Sequence, residues 1–407
     1  MKLPKNRKGD YSRNAIEMRT RFLNNQLGVN IEKLTESNID PQLAKGNIEN
    51  IIGFTQVPTG IIGPLKINGG YASGNFYIPL STTEGALVSS FNRGARVITL
   101  SGGANVAVVR DQIQRAPLFE LENLFKAVEF VRWVEKKFSL LQQVAESTTN
   151  NGKLESYNSF IQGKVVFLRL NFSTGDAMGM NMISKASQKI CEYITKHFPV
   201  VRYSIESNMA VDKKPAHINS ILGRGKTVTA EVLIKEKIIS RYLHTTAREI
   251  ENAYHRQVTG GLLAGSMGVN AHFSNAIAAL FLACGQDLAN ISESCVGFSY
   301  AESLNGDLYA SVNLPSLVVG TVGGGVSLPT QRECLELIDC YGSGKSRKFA
   351  EIVAATALAG EISLAASIVA GDFVGAHEKY GRNKPQTDIN NHNAIAFNDG
   401  QKTTLHK

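Results

Sequence analysis

The chain is poor in cysteine and has no pairing pattern among the few it carries. Cys191, Cys284, Cys295, Cys334 and Cys340 are an odd set without a CxxC, which argues against a disulfide framework and a zinc cluster and leaves reduced thiols and no metal. A long uninterrupted apolar run is missing as well. The N-terminal MKLPKNRKGDYSRN has no apolar core of the signal-peptide kind, and the most apolar late stretch, residues 350–371, is Ala-rich and broken by Glu351 and Glu361. Nothing is therefore expected to span or enter a membrane, and a cytoplasmic protein is the expectation. Low-complexity blocks and internal repeats are absent too, which leaves an ordinary globular protein.

Charged residues make up only 19% of the 407 positions against 43% hydrophobic residues, and this length supports two or three cores. The net charge of +8 raises nucleic acid as a partner. Lys and Arg are scattered, however, and rarely interleaved with aromatics, so no nucleic acid is expected. A small, highly anionic ligand fits the same balance.

The pattern along the chain is α/β, more closely α+β. Residues 14 to about 50 carry helical periodicity through Ile16, Met18, Phe22, Leu23 and Leu27. After them ENIIGFTQVPTGIIGPLKINGG and YASGNFYIPL read as turns and strand. From Ser81, STTEGALVSSFNRGARVITLSGG reads as a capped helix with Glu84 in its first turn. Between 117 and 206, charged amphipathic helices sit between the strands KVVFLRLNF and VVRYSIES, the texture of an α+β unit inserted into its surroundings. Beyond it the strand TVTAEVLI leads into three helical stretches, REIENAYHRQVTG, GGLLAGSMGVNAHFSNAIAALFLACGQDLANI and AEIVAATALAGEISLAASIVAGDFVGAH, whose Ala and Gly spacing permits close helix contacts. The expected division is a helical N-terminal region (1–52), a large domain in two parts (53–116 and 207–407) and a small inserted domain (117–206). The second part opens with a connecting loop, 207–216, and closes in a tail from about 384 that is expected to be flexible.

Two glycine-rich stretches fail as nucleotide motifs. SILGRGKT would need a glycine at Ser220 to be a P-loop, and GTVGGGVSLPTQ is not GxGxxG. FSTGDAMGMNMIS is a better candidate, because it follows a strand and opens a helix. Asp176 can cap that helix, Gly175 and Gly179 let a ligand approach the backbone, and the helix N-terminus suits phosphate. NMAVDKKPAHINS concentrates Asp212, Lys213 and Lys214 before a proline. It reads either as a solvated turn or as an electropositive loop that stabilises an oxyanion.

Taken together, ENIIGFTQVPTGIIGPL, TTEGALVSSFNRG, GDAMGMNMIS, DKKPAHIN, CGQD and GTVGGGVSLPTQ closely resemble, in order and spacing, the catalytic domain of the 3-hydroxy-3-methylglutaryl-coenzyme A reductases. The resemblance runs from about residue 11 to 383, and GDAMGMNM is similar to the NADPH-using class I branch, here without that branch's eukaryotic membrane anchor. It implies a large substrate domain with an inserted ferredoxin-like domain for NADP(H), and reduction of the thioester to mevalonate and coenzyme A with two NADPH. NADH is an alternative cofactor, and oxidative use of the same fold with NAD an alternative direction. It implies an active site between two subunits, in a homodimer or a tetramer.

By the same resemblance Lys213 is the oxyanion cation, Glu84 the proton donor, Asp287 the link between them, and His377 the acid that protonates the departing thiolate. Tyr11, Ser90, Asn92, Arg93, Arg96, Arg115, Asp212, Lys214, Arg256 and Asn270 are implied at the substrate. Glu206 stands where relatives have a serine, with Ser207 as the alternative bearer of that role. Met178, Met180, Asn181 and Met182, with Asp176 and Gly179, are implied at the cofactor, as are Gly323, Gly324 and Gly325. Lys153 substitutes for the arginine expected on the 2′-phosphate, whose place Asn150 takes. Tyr380 and Asn383 replace a second histidine and a serine phosphorylated in some relatives, so kinase control there is not implied.

Overall fold

A computed structural model describes residues 2–6 and 9–371. The expected tail from 384, and His377, Tyr380 and Asn383, lie outside the described residues.

The chain opens with α1 (Arg13–Leu27), which starts where Ser12 Oγ accepts the Ala15 N–H at 3.1 Å and ends at Gly28 in left-handed geometry. It packs Ile16 against Ala44 and Ile51 in a small core that also touches Tyr11, Phe54 and Leu328. An antiparallel hairpin follows, β1 (Thr59–Gly69) and β2 (Ser73–Ser81), then α2 (Leu87–Leu100) and the long strand β3 (Ala104–Arg115). Next come β4 (Leu118–Glu120), α3 (Leu124–Glu146), β5 (Lys153–Gln162), β6 (Val165–Ser173), α4 (Met180–His197) and β7 (Arg202–Ser204). The remainder is α5 (His217–Leu222), β8 (Gly225–Ile234), a short α6 (Glu236–Ile238) continued by one π turn, α7 (Ala247–Leu263) and α8 (Phe273–Ala283). It closes with α9 (Ile291–Ser294), β9 (Phe298–Leu304), β10 (Asp307–Leu317), α10 (Pro329–Leu337) and α11 (Ser346–Ala370).

The strands form one sheet in the order β7-β4-β6-β3-β8-β10-β9, with β5 on β6, and with β1 joining β2 to β3. Every pairing is antiparallel except Ile67–Gly69 beside Ala104–Val106. Within it, β7-β4-β6-β5 with α3 and α4 has the β-α-β-β-α-β connectivity of a ferredoxin-like unit. Two main cores result. One gathers residues 62–106 and 228–366, and the other residues 113–198 with Val318. β3 belongs to both sides: Asn105–Gln112 pair with β8, and Ile113–Arg115 pair with β6.

Helix α11 is the spine of the first core. Every residue from Phe349 to Ser363 is buried, as expected of a helix that is apolar all round. Among the described residues it is the one helix long and apolar enough to cross a bilayer, and here it packs instead against α2, α8, β8 and β10. Its two acids are tied internally. Glu351 accepts the N–H groups of Tyr71 and Ala72 at the β1–β2 turn, at 2.9 and 2.6 Å. Glu361 accepts those of Ala271 and His272, both at 2.8 Å, and the Ser299 hydroxyl at 2.6 Å. Small residues set the contact with α2: a Cβ on Gly94 would lie 1.9 Å from the Ala359 carbonyl oxygen, and one on Gly360 2.5 Å from the Phe91 ring.

Three local expectations change. The helix read from Ser81 starts at Leu87, because Ser81 still pairs with Thr59 in the sheet and Thr82 Oγ1 accepts the Glu84 N–H at 3.0 Å, turning the chain first. Glu84 therefore sits in the loop before the helix. Leu118–Glu120, read as helical, is strand β4. The stretch read as one helix from Gly260 is broken between Leu263 and Phe273, where Gly265 is left-handed and Val269 bridges to Phe298.

Candidate active site

The charged loop is held in costly backbone geometry. Asn208, Val211 and Lys213 have φ of 64°, 53° and 57°, a region that β-branched and long side chains seldom occupy, so the surroundings must impose it. The Lys213 ammonium lies 2.7 Å from Asp287 Oδ2, with both side chains more than a third exposed. Asp287 is itself fixed, since its other oxygen accepts the Ala289 N–H at 3.1 Å. Lys214 is exposed and donates to the Asp212 carbonyl at 3.2 Å. The Asp212 carboxylate turns inward to the buried Arg224, 2.8 Å away.

Lys213 and Asp287 line a cleft of ≈ 860 Å³. One wall is Met178–Met182, where α4 begins at Met180 with Gly179 (φ 81°) before it and no side-chain cap. The helix start therefore leaves N–H groups for an anion. Only glycine fits at 179, since a Cβ there would meet Thr174 at 2.4 Å. The facing wall is Gly323–Gly325. Gly323 and Gly324 have positive φ and nothing within 4 Å of a would-be Cβ, so bare backbone faces the opening. Gly325 packs on Gly285, two residues before Asp287. Polarizable thioethers, bare backbone and an uncapped helix start fit a dinucleotide with its flat ring and pyrophosphate.

Asp176 does not cap α4. It accepts the N–H groups of Gly344 at 2.6 Å and Ser346 at 3.0 Å, capping α11. Burial pushes its pKa up, but the two N–H groups, with the Ser346 hydroxyl and the charge of Lys226, together hold the carboxyl below the usual range. Lys153 opens β5 opposite Ser173, the residue that leads into the methionine loop, and Gly152 packs on Met182.

A family model for hydroxymethylglutaryl-coenzyme A reductase matches residues 15–382. The chain is 48% identical over 378 residues to the 3-hydroxy-3-methylglutaryl-coenzyme A reductase of Pyrococcus horikoshii, covering 90% of this chain and 92% of that one. It is 45% identical over 379 residues to the protein of the same name from Methanocaldococcus jannaschii, covering 91% and 94%. The chain belongs to the hydroxymethylglutaryl-coenzyme A reductase family. The fold is similar to that of a solved class II reductase from Streptococcus pneumoniae bound to NADPH, with TM-score 0.67 at 18% identity over 88% of this chain and 99% of that one.

The other residues implied by the reductase resemblance fall into separate settings. Arg115 lines the cleft, donating to Ser184 Oγ at 2.5 Å and pairing with Glu206 at 2.7 Å. The Glu206 carboxylate also accepts the N–H groups of Ser207 and Asn208, while the Ser207 hydroxyl donates to the Ala116 carbonyl at 2.7 Å. Asn270 is occupied structurally: its oxygen caps α8 at Phe273, and its nitrogen donates to the carbonyls of Cys295 and Gly297. One turn on, Asn275 reaches Glu84 Oε1 at 3.4 Å. That places Glu84 at the start of α8 and the Lys213–Asp287 pair past its end. At 1.5 Å per residue, α8 rises roughly 12 Å between Asn275 and Ala283. Ser90 and Arg93 bind Ser363 on α11, Asn92 accepts the Gly63 N–H at 2.9 Å, and Arg96 lies over the Tyr242 ring at 4.9 Å. Arg256 is exposed on α7, and Tyr11 packs against the small core of Ile16, Ala44 and Ile51, as does Leu328, which lines the cleft.

Asn275, Ser184, Arg224 and Glu293 are absent from the expected set. Asn275 had a weak sequence signal as the second amide in NAHFSN, whereas the buried Arg224 and Glu293, 69 positions apart, had none.

Proposed function

We propose that the protein is an NADPH-dependent hydroxymethylglutaryl-CoA reductase, reducing the (S)-3-hydroxy-3-methylglutaryl thioester to mevalonate and free coenzyme A with two NADPH. The observation that carries this reading is the Lys213–Asp287 pair set in the same cleft as the Met178–Met182 wall and the uncapped start of α4.

NADPH, when bound, supplies the hydride. The residues that would hold it are Met178, Met180, Asn181 and Met182, with Gly179 and Gly323–Gly325, and Lys153 toward the 2′-phosphate. Lys213 donates a hydrogen bond to the substrate carbonyl oxygen as negative charge develops there, first at the thioester and again at the aldehyde. Asp287 holds the ammonium in place through their 2.7 Å ion pair. Arg115 offers a planar fork to the substrate carboxylate, from which Glu206 must then withdraw. Glu84 delivers the proton during aldehyde reduction, and His377 protonates the thiolate of coenzyme A.

The separation of Glu84 from Lys213 along α8 supports a site completed between subunits of a homodimer or tetramer, with Glu84 of one copy serving Lys213 of another. The test of the whole reading is to give the purified protein the CoA thioester with NADPH or NADH and follow 340 nm absorbance together with thiol release. Two nucleotides oxidised per thiol freed, faster with NADPH, is the expected result. A one-to-one ratio means an aldehyde-releasing enzyme and overturns it.

A further inference from the structure

Directly beneath the lysine loop lies an ion pair that the chemistry above does not use. Arg224, at the turn into β8, is fully buried and faces three groups. Its Nη1 is 2.7 Å from Glu293 Oε1 in α9, with neither side chain exposed. Its Nη2 is 2.8 Å from Asp212 Oδ1 and 3.2 Å from the Met180 sulfur. The backbone N–H of Lys213 in turn faces the Glu293 carboxylate. Asn290, three residues before Glu293, donates to the Met178 sulfur at 3.2 Å. One short stretch, 287–293, therefore addresses the lysine ammonium through Asp287, the lysine main chain through Glu293, and the methionine wall through Asn290 directly and through Glu293's partner Arg224.

A buried ion pair is a poor way to stabilise a fold, because desolvation cancels much of its attraction and apolar residues of the same volume serve as well. Its value here is geometric. A guanidinium fork fixes two carboxylates at set angles, which neither an ammonium nor an apolar side chain does. We propose that Arg224 and Glu293 are positioning residues that clamp the left-handed Lys213 main chain to the Met180 wall, and so fix the lysine ammonium relative to the cofactor site. The assignment rests on the reductase reading for its catalytic meaning, but the clamp itself is tested without turnover.

Glu293 is the member of the clamp that titrates in the working range. Burial raises its pKa from 4.5 to about 7, against the opposing pull of Arg224, with Asp212 adding to the rise and the Lys213 N–H lowering it. When it ionises, its bonds to Arg224 and to Lys213 strengthen and the loop is held. Reactivity of Lys213 toward trinitrobenzenesulfonate, read by peptide mass spectrometry and corrected for the fraction of free amine, reports this directly. In the wild type it should step down as pH rises through about 7, while exposed Lys214 shows no step.

Glu293→Gln keeps the shape and removes the titration. Its Lys213 should lose the step and label several-fold faster above neutrality. Its kcat should fall on the order of 10²-fold, the scale of a misplacement near 1 Å, with the KM for the thioester within about twofold. Arg224→Lys should act in the same direction and also raise the KM for NADPH. If the step persists in a folded Glu293→Gln, or if Lys213 and Lys214 rise together in proportion to a lost melting temperature, the clamp is only structural and the proposal fails. If the wild type does not reduce the thioester, the reductase reading falls while the labelling result still decides the clamp. Should Arg224→Lys not fold, Glu293→Gln alone decides.

Discussion

At the scale of single residues, the site sets charge against geometry. Lys213 is held by Asp287 in left-handed backbone, and in the proposed chemistry its replacement removes the oxyanion donor. Lys213→Ala should abolish reduction of both the CoA thioester and added mevaldehyde, measured as NADPH oxidation with each, because one cation serves both hydride transfers. Asp287→Asn should slow both reductions, since the 2.7 Å ion pair that holds the ammonium is weakened. Glu293 gives a different signature. Its folded pKa of about 7 lies above the ordinary 4.5, so the stability tied to its proton is complete below about 4.5 and is lost as pH rises through 7. At 1.36 kcal/mol per unit the change is roughly 3 kcal/mol. Urea midpoints taken at low and high ends of that window should differ in the wild type and converge in Glu293→Gln. Equal slopes in both proteins would mean the buried acid does not titrate there.

At the scale of elements, contiguous motifs were legible and distant partnerships were not. DKKP, GDAMGMNM and GTVGGGVS each place backbone strain or bare backbone on the cleft within one run of residues, and the structure gathers them. Asp176 was misjudged because capping partners are decided by tertiary contact: the nearest helix starts four residues away, yet the N–H groups that reach it belong to α11, 168 and 170 positions on. Asn275 was missed for the related reason that the chain break before α8, not composition, ties Asn270 to the helix start and leaves Asn275 to face Glu84. The small-residue spacing of α11 was readable as close packing, and Gly94 is where the packing is tightest. Gly94→Ala should cost about 1–3 kcal/mol by forcing α2 off α11. A shifted denaturant midpoint at unchanged slope is the expected result, and an unshifted one would mean the helices part freely.

At the scale of the whole molecule, sequence patterning was enough for an α+β chain with an inserted unit, and the family resemblance for its ferredoxin-like form, but neither for the distance between Glu84 and Lys213. Both acid and lysine are local features of their loops; the helix that separates them is visible only in three dimensions. If the site is completed between subunits as proposed, mixing Glu84→Gln with Lys213→Ala protein should restore activity that neither has alone, because a mixed dimer would hold one site with both residues intact. No recovery after subunit exchange would place the two residues in the same chain's site. Trp133, the single tryptophan, stands in α3 against the second core, whereas most of the helix content surrounds the first. The strand β3 runs as one element through both, with a single bulge between Val108 and Arg110 on its β8 side. Chains with two cores often melt in two stages, since the weaker half lets go first. Here the weaker half has no hinge at which to let go: peeling Ile113–Arg115 from β6 frays the strand that also holds β8. Tryptophan emission and far-ultraviolet ellipticity should accordingly trace one and the same melting curve, with the Met178–Met182 wall of the cleft lost at the temperature at which the Asp287 side is lost.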